Sequence, residues 1–332
     1  MRDVATAAGV GLATVSRVFS GAPGVRPEVA ERVTAAALRL GYRRDAAASS
    51  LRRADRRSGT VGLIMADVAN PFAAVLHRAV EDAAVTRGVL VLAGSSDESA
   101  ERELAVIEAF RSRRVDALIV MPSGGTDAAL AEMCAQGTPV VSVDRPLEVP
   151  AARSVVADNR GGARRAVSRL RALGHRRIAF LGDRPDLWTA RERLAGYTEA
   201  MGGEVDPALV VRGLAGAEQG EQATQRLLAL PHPPTALFTA QNLLTTGARR
   251  ALQDRGEQRL VAHVGFDDLP LGDLLDPPVS VVAQDPARMG AIAARAAFAL
   301  LDGDGGIPPC TVLRTQYLAR GSGEIPPGLR AG

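Results

Sequence analysis

Short apolar runs alternate with amphipathic segments along most of this chain, and this alternation constrains its fold more than any other feature. The first series predicts strands at 60–67, 89–93, 117–121 and 139–143, with helices at 71–87, 100–113 and 128–135 between them. A second series begins near residue 154 and predicts helices at 161–173, 190–201, 218–229 and 243–254, with strands at 177–181, 209–211, 235–238 and 260–264. Apolar strands between amphipathic helices are typical of parallel sheets that helices cover on both faces, so the chain predicts two doubly wound α/β lobes.

The first 57 residues lack this alternation and predict a separate helical head. Helices are predicted at 3–8, 12–19 and 27–40, and Gly9 can adopt the left-handed turn that ends the first of them. A helix, a tight glycine turn and a second helix form the geometry that places the second helix in the major groove of DNA.

Charge is unevenly distributed between this head and the rest of the chain. The head carries 11 Arg and 5 acidic residues, whereas the remainder carries 29 Arg and 32 acidic residues. The asymmetry indicates an anionic partner for the head, nucleic acid before membrane. An arginine-rich surface that is merely solvated would have the same composition and is the alternative.

The outward face of the predicted second helix carries side chains that suit DNA. Serine and threonine hydroxyls match phosphate oxygens, and Arg17 can donate two hydrogen bonds to O6 and N7 of guanine. A small helical bundle used for protein contacts is the alternative. The face consists of Leu12, Ala13, Thr14, Ser16 and Arg17.

The segment from Asp45 to Arg57 combines small residues with strong positive charge. It offers almost no apolar face beyond Leu51, so it predicts no stable helix in isolation. A helix that folds only on DNA, with Leu51 wedged between base pairs in the minor groove, would account for both its composition and its charge. A plain basic linker is the alternative.

Polar and aromatic side chains follow the predicted strands of both lobes. Ligands of such sheets bind beyond the carboxyl ends of the strands, and two facing lobes make a cleft there. Carboxylates, amides and guanidinium groups suit a polyhydroxylated small molecule, whose ring faces stack on Trp or Phe. Any one of these side chains could instead cap a helix or pack at an interface. The residues are Asp67, Asn70, Pro71, Phe72, Ser95, Ser96, Asp97, Asp144, Arg145, Trp188, Arg191, Arg193, Gln241, Asn242, Asp267 and Asp268.

Composition and motifs argue against several other classes of protein. No apolar run has the length of a membrane span, no signal peptide is recognisable, and Cys134 and Cys310 lie far apart, so we expect a cytoplasmic protein without a membrane partner. All 40 basic residues are Arg, which excludes P-loop and Schiff-base chemistry. No hydrolase, zincin or dinucleotide-binding motif is found, so we expect no enzyme, no metal and no cofactor. A periplasmic solute-binding protein, the rival from another class, would carry a signal peptide and no basic head.

Nine stretches, in order along nearly the whole chain, carry a specific resemblance. They are RDVATAAGVGLATVSRVFSG at 2–21, LGYRRDAAASSLRR at 40–53, TVGLIMADVANPF at 60–72, RRVDALIVMPS at 113–123, VDRP at 143–146, ALGHRRIAFLG at 172–182, RERLAGY at 191–197, PPTALFTAQN at 233–242 and VGFDD at 264–268. With them the chain resembles the lactose/galactose-repressor (LacI/GalR) family. The resemblance implies a homodimeric, nucleoid-associated repressor of transcription that binds a pseudo-palindromic operator and responds to a small sugar-like effector. A co-regulator protein in place of the sugar is the alternative.

The same resemblance implies domain boundaries and site residues. The head takes 1–44, the hinge helix and linker 45–58, the first lobe of the core about 59–157 and 287–320, the second lobe about 158–286, and the tail 326–332. The implied DNA contacts are Leu12, Ala13 and Arg17 to bases, Thr14 and Ser16 to phosphates, a further contact at Ser20, and the hinge wedge Leu51 with Arg52 beside it. The implied effector contacts are Asp67, Phe72, Asp144, Arg145, Trp188, Arg193, Gln241 and Asp267.

The chain departs from the family pattern at several positions. Gly11 stands where a capping Ser is usual, which costs the following helix about 1 kcal/mol, and Arg26 stands where Ser commonly caps the third helix. Residues 240–242 read AQN in place of the usual Ala-Asn-Asp, which leaves the identity of the effector open. The few residues that normally precede the first helix are missing, so we expect the native start to lie upstream of Met1. The Pro/Gly-rich tail has no heptads, which argues against a tetramer-forming coiled coil.

Overall fold

A computed structural model describes residues 1–20, 22–42 and 57–328 of the chain. The chain forms two units, 1–58 and 59–332. Across the described residues, no helix has the length and apolar character needed to cross a membrane. Nor do three His, Cys, Asp or Glu side chains come together there as a metal site would require.

The head consists of three short helices whose apolar faces meet in one small core. Val15 and Val33 are fully buried at its centre, with Val4, Ala36 and Ala37 around them. Leu40, which the helical spacing places inside, is 48% exposed because the third helix ends one residue earlier. The helices are α1 Arg2–Ala8, α2 Leu12–Ser20 and α3 Pro27–Arg39.

A left-handed turn at Gly9 joins the first two helices. Gly9 has φ 63°, a conformation that glycine adopts without the steric cost of a side chain. Its N–H donates to the Thr6 carbonyl at 3.2 Å, and the Val10 N–H donates to the Ala5 carbonyl at 3.0 Å. This pair of bonds satisfies the last carbonyls of α1 and directs the chain into α2.

The first lobe of the core follows the alternation predicted from the sequence. Each helix lies within about two residues of its predicted ends, which is the usual uncertainty of such boundaries. The elements are β1 Thr60–Met65, α4 Pro71–Val85, β2 Leu90–Ser95, α5 Ala100–Ser112, β3 Ala117–Val120, α6 Asp127–Ala135, β4 Val140–Val143 and β5 Arg153–Ala157.

The second lobe repeats the pattern. Its elements are α7 Asn159–Ala172, β6 Ile178–Leu181, α8 Trp188–Met201, β7 Val210–Val211, α9 Ala217–Leu228, β8 Ala236–Thr239, α10 Asn242–Asp254, β9 Ala262–Phe266 and β10 Ser280–Ala283. A 3₁₀ turn at Pro207–Leu209 leads into β7.

The chain then returns to the first lobe and crosses back once more. α11 Pro286–Leu301 and β11 Cys310–Leu313 join the first lobe, whereas β12 Gln316–Leu318 pairs antiparallel with β10 in the second. The boundary expected at residue 320 for the first lobe is therefore too late, because the chain changes lobe between β11 and β12. Five elements were not predicted from the sequence. The strands β5, β10, β11 and β12 have only three to five residues each, and most residues of α11 are apolar, so its helical periodicity is weak.

Each lobe has one six-stranded sheet with helices on both faces. The strand orders are β11-β5-β4-β3-β1-β2 and β12-β10-β9-β8-β6-β7, and every neighbouring pair except β10–β12 is parallel. In the first lobe, α4 and α11 cover one face and α5 and α6 the other. In the second lobe, α7 and α8 cover one face and α9 and α10 the other. The central strands β3, β4, β6, β8 and β9 are thus buried on both sides, as their composition predicts, whereas the edge strand β2 is partly exposed.

Three crossings of the chain connect the lobes side by side. They lie near Asp158, Gln284 and Thr315, between strands that end in one sheet and elements that start in the other. The Asp158 N–H donates to the Leu313 carbonyl at 2.8 Å, which ties the first crossing to the third. Asp158 also caps α7, since its Oδ1 accepts from the Gly161 N–H at 2.9 Å. The crossings therefore form a short, hydrogen-bonded hinge behind the cleft.

Candidate DNA-binding helix and cleft cavity

Helix α2 presents the face that the sequence predicts. Val15 is fully buried in the head core, which fixes the rotation of the helix. Leu12 is 47% exposed, Thr14 is half-buried, and the remaining members of the face, Ala13, Ser16 and Arg17, are exposed. The helix can therefore meet a duplex with these side chains without giving up its own packing.

Three of the predicted DNA contacts cannot be placed. The side chain of Ser20, and Leu51 and Arg52 in the hinge segment, lie outside the described residues. Their roles stay predictions from the sequence.

A cavity of about 300 Å³ lies between the two lobes of the core, where the carboxyl ends of their strands meet. This volume is at the lower end of the range for small-molecule sites. Seven of the eight predicted effector residues line it: Asp67, Phe72, Asp144, Arg145, Arg193, Gln241 and Asp267. Trp188, the first residue of α8, is half-buried and is not among the lining residues.

Several lining residues were absent from the predicted effector set. Asp183 lies two residues beyond β6, so the same strand-end rule would have found it. Gln284 follows β10, a strand that the sequence reading did not identify. Glu98, Arg184 and Thr189 sit in loops or at a helix start and had no comparable signal. Asn70, Asp97 and Asn242, noted as strand-end residues, also line the cavity.

Arg193 forms the floor of the cavity from within α8. Its Nε donates to Asn159 Oδ1 at 2.7 Å, and its Nη1 donates to the Ala240 carbonyl at 2.7 Å and to Asp267 Oδ2 at 3.3 Å. The guanidinium also lies 3.9 Å from the centre of the Phe266 ring. The charge is thus compensated by a carboxylate, two further acceptors and an aromatic face, which allows it to be 95% buried (5% exposed).

Arg145 is held in the opposite wall by Glu98. Its Nη1 and Nη2 donate to Glu98 Oε2 and Oε1, both at 2.6 Å, and Nη1 also donates to the Pro122 carbonyl at 2.8 Å. Burial would lower the pKa of Arg145, but the paired hydrogen bonds and charge of Glu98 outweigh it and raise the pKa. The guanidinium therefore stays charged and fixed in orientation.

Burial changes the acidity of two carboxyl groups of the cavity. It raises the pKa of Asp144 to about 6, although Arg145 and Arg193 oppose the shift. Burial also raises the pKa of Asp183, against the hydrogen bonds that its carboxylate accepts from Arg184 and Gln241. Asp144 is buried and Asp183 is half-buried, so hydrogen bonds to a ligand there gain strength relative to those at an open surface.

Hydrogen bonds between residues that line the cavity join the two lobes directly. Asn242 Nδ2 donates to Asn70 Oδ1 at 2.9 Å, and Asn70 Nδ2 donates back to Asn242 Oδ1 at 3.4 Å. In addition, Arg184 Nη1 donates to the Glu98 carbonyl at 2.6 Å. Asn70 also caps α4, and Gln241 caps α10, so the contacts start from rigid helix ends.

The match to known families covers both parts of the chain. Residues 61–305 match the periplasmic binding protein domain family, and residues 1–45 match the bacterial regulatory proteins of the lacI family. The chain is 32% identical to catabolite control protein A of Priestia megaterium, over 88% of this chain and 90% of that protein. The chain belongs to the LacI family. This confirms the resemblance read from the nine sequence stretches.

Solved structures of family members share the fold. The Lac repressor dimer bound to operator and the anti-inducer ONPF has a TM-score of 0.85 at 27% identity, covering 97% of this chain and 98% of that chain. The complex of the transcriptional regulator CelR with cellobiose has a TM-score of 0.71 at 33% identity, again covering 97% and 98%. The predicted fold class, a helix-turn-helix head before two parallel-sheet lobes, is confirmed.

Proposed function

We propose that this protein is a homodimeric transcriptional repressor that binds a pseudo-palindromic operator, and that a sugar-like molecule in the cleft cavity changes its affinity for that operator. The observation that carries the proposal is the combination, in one chain of the LacI family, of an exposed helix-turn-helix face with a polar cavity between two lobes. Neither part alone would link DNA binding to a small molecule.

In the head, α2 enters the major groove. Leu12, Ala13 and Arg17 face base edges, and Thr14 and Ser16 face phosphates, which accords with the exposed side of the helix. Ser20 lies at the far end of the same helix, and Leu51 with Arg52 beside it supplies the minor-groove wedge. Two heads in a dimer read the two half-sites of the operator.

In the core, the effector occupies the cavity and contacts both lobes. Arg193 and Asp267 from the second lobe and Asp144 from the first offer fixed donors and acceptors to hydroxyl groups. Asp67, Phe72, Arg145 and Gln241 complete the wall. Trp188 stays in the proposed set as a residue beside the lining residue Thr189 and not as a lining residue itself. A related regulator, CelR, has been solved as a complex with cellobiose, which supports a sugar as the ligand class.

Coupling between the two sites follows from how the lobes are joined. The three adjacent crossings allow the angle between the lobes to change when a ligand bridges them. The first strand of the core starts at Thr60, so movement of the first lobe reaches the segment 45–58 through the chain itself. A coupling free energy of about 1–3 kcal/mol would change operator affinity roughly 5–150-fold.

The proposal also assigns the core a binding role instead of an enzymatic one. Its polar groups are held in mutual hydrogen bonds and ion pairs, an arrangement that suits recognition. Since the proposed operator is a chromosomal sequence, the proposal places the protein in the cytoplasm, in association with the nucleoid.

Selection from a genomic fragment library at modest salt tests the DNA part of the proposal. The expected result is one family of related fragments with a pseudo-palindromic centre. Arg17→Ala should weaken binding to those fragments by about 1–3 kcal/mol and binding to random DNA far less. Arg39→Ala, at the exposed end of α3, is the matched control and should affect both kinds of DNA alike. Equal losses for Arg17→Ala on both would contradict its base-reading role.

The hinge is tested separately by Leu51→Ala. We expect a smaller bend at the operator centre in a gel-shift phasing assay, with lower operator affinity. Unchanged bending and affinity would remove the wedge from the proposal while leaving the recognition helix in place.

A further inference from the structure

The charges around the cleft cavity are unequal. Of the residues that the structure describes, six carboxylates and three guanidinium groups line it, so this wall carries an excess of negative charge. Asp97 pairs with Arg102 on the surface, whereas Asp67 and Asp183 accept hydrogen bonds from backbone and amide N–H groups. A ligand that enters the cavity therefore meets a wall rich in acceptors.

Each of the three guanidinium groups already has a carboxylate partner. Arg145 has Glu98, and Arg193 has Asp267. Arg184 pairs with Asp186 and donates to the Glu98 carbonyl. Binding of a phosphate or carboxylate group would require breaking one of these pairs, and its own charge would face the remaining carboxylates, which costs affinity.

Within the described part of the chain, two buried polar atoms of the cavity lining lack a hydrogen bond, and they are of opposite kinds. Gln284 Oε1 is an acceptor without a donor, although the Nε2 of the same side chain donates to Asp267 at 2.7 Å. Arg145 Nε is a donor without a hydrogen bond, 3.5 Å from Asp144 Oδ2. A hydroxyl group can donate to the first kind of atom and accept from the second, whereas an ionised phosphate can only accept.

We propose that the effector is an uncharged polyhydroxylated molecule, a sugar without phosphate or carboxylate groups, and that Glu98 is the residue that keeps anionic sugars out. Glu98 does so by occupying both Nη atoms of Arg145, which would otherwise form a two-pronged anion site in the cavity wall. The proposal refines the effector class and so depends on the proposed effector site.

Inorganic phosphate is the probe for the role of Glu98. Calorimetric titrations at constant ionic strength compare the wild-type protein with Glu98→Gln, which frees Arg145 while keeping the size of the side chain. Glu101→Gln, an exposed residue in the first turn of α5, is the matched control. We expect Glu98→Gln to bind phosphate at least about tenfold more tightly than the wild type and the control, which corresponds to roughly 1.4 kcal/mol.

The double variant Glu98→Gln/Arg145→Gln locates the gained site. Phosphate binding that is gained in Glu98→Gln and lost in the double variant lies in the cavity, because any weak binding to the basic head is common to all the proteins compared. No gain in Glu98→Gln would overturn the role of Glu98. Tight phosphate binding by the wild-type protein that is lost in Arg145→Gln would overturn the exclusion of anions.

Sugar pairs test the ligand class itself. Fructose with fructose 1-phosphate and glucose with glucose 6-phosphate are titrated into the wild-type protein. The proposal expects each phosphate ester to bind at least about tenfold more weakly than its parent sugar, or not at all, and tighter binding of either ester contradicts it. The phosphate and sugar titrations contain no DNA. Failure of the DNA-binding proposal, which the fragment selection tests, can therefore be distinguished from failure of this inference.

Discussion

Asp144 and Asp267 occupy equivalent places in the two lobes and face each other across the cavity. Each follows the fourth parallel strand of its α/β series, β4 or β9, and each has φ 68°, a left-handed conformation that is uncommon for any residue but glycine. Each donates its backbone N–H to the next strand at 2.9 Å, to Val155 and Val282 respectively. The fold thus places one carboxylate from each lobe in the lining of the cavity, each on a left-handed stretch of backbone.

Asp267→Asn is expected to abolish the response to the effector and leave operator binding without effector nearly normal. Asparagine tolerates the left-handed backbone, but it removes the negative charge that compensates Arg193 and replaces one of the two acceptor oxygens with an amide donor. Fluorescence anisotropy of labelled operator, with and without the sugar that the wild-type protein recognises, measures both properties. Asp268→Asn is the control, because that carboxylate pairs with Arg320 and does not line the cavity. A normal effector response in Asp267→Asn would refute its role.

Asp144 should make the stability of the core depend on pH between about 4 and about 6. Burial raises the pKa of Asp144 from 3.8 to about 6, so the folded protein holds this proton more tightly than the unfolded chain. Its contribution to the free energy of unfolding is therefore complete below about pH 4 and lost as the pH rises through about 6. The expected loss is about 2–3 kcal/mol.

Asp144→Asn isolates this effect. Urea denaturation measures the free energy of unfolding of the wild type and of the variant at about pH 4 and at about pH 7. Relative to the wild type, the variant should be more stable at about pH 7 than at about pH 4 by about 2–3 kcal/mol. Asp273→Asn, an exposed carboxyl group, is the control and should shift little. A difference between wild type and Asp144→Asn that is constant with pH would show that the carboxyl group titrates normally.

The amide pair of Asn70 and Asn242 should contribute to closure of the cleft. The two side chains exchange hydrogen bonds between lobes, and Asn242 is 3% exposed. A double-mutant cycle with Asn70→Ala and Asn242→Ala should give a coupling of about 0.5–1.5 kcal/mol in the free energy of unfolding. The cycle removes the separate cost of losing the Asn70 helix cap. Additive single effects would mean that the pair contributes nothing to holding the lobes together.

Close packing of α9 against α10 should make Gly247 intolerant of a side chain. A methyl group at this position would overlap the carbonyl oxygen of Ala217 in the facing helix. Gly247→Ala is therefore expected to lower the free energy of unfolding by about 1–3 kcal/mol. Gly305→Ala, where a methyl group meets open space, should stay within about 0.5 kcal/mol of the wild type. Urea denaturation of both variants provides the measurement.

The sequence predicted most of the cavity through one rule, that polar residues after parallel strands share an edge. That rule placed Asp67, Asp144 and Asp267 correctly, because strand ends are visible as the point where an apolar run stops. Trp188, which opens α8, is not among the lining residues, and Gln284 was missed because β10 was not identified. Helix and strand patterns are local, so they fix what a segment is but not what it touches.

The sequence by itself determined the kinds of elements, the helix-turn-helix head and the family, because periodicity, glycine turns and motifs are properties of neighbouring residues. The tertiary structure alone decided that the chain crosses between the lobes after β11. It also decided two ion pairs: Arg145 pairs with Glu98, 47 residues away in the sequence, and Arg193 pairs with Asp267, 74 residues away. Those contacts follow from the order of strands in the sheets. That order is set by how the apolar faces of all the elements are buried together, which no local pattern contains.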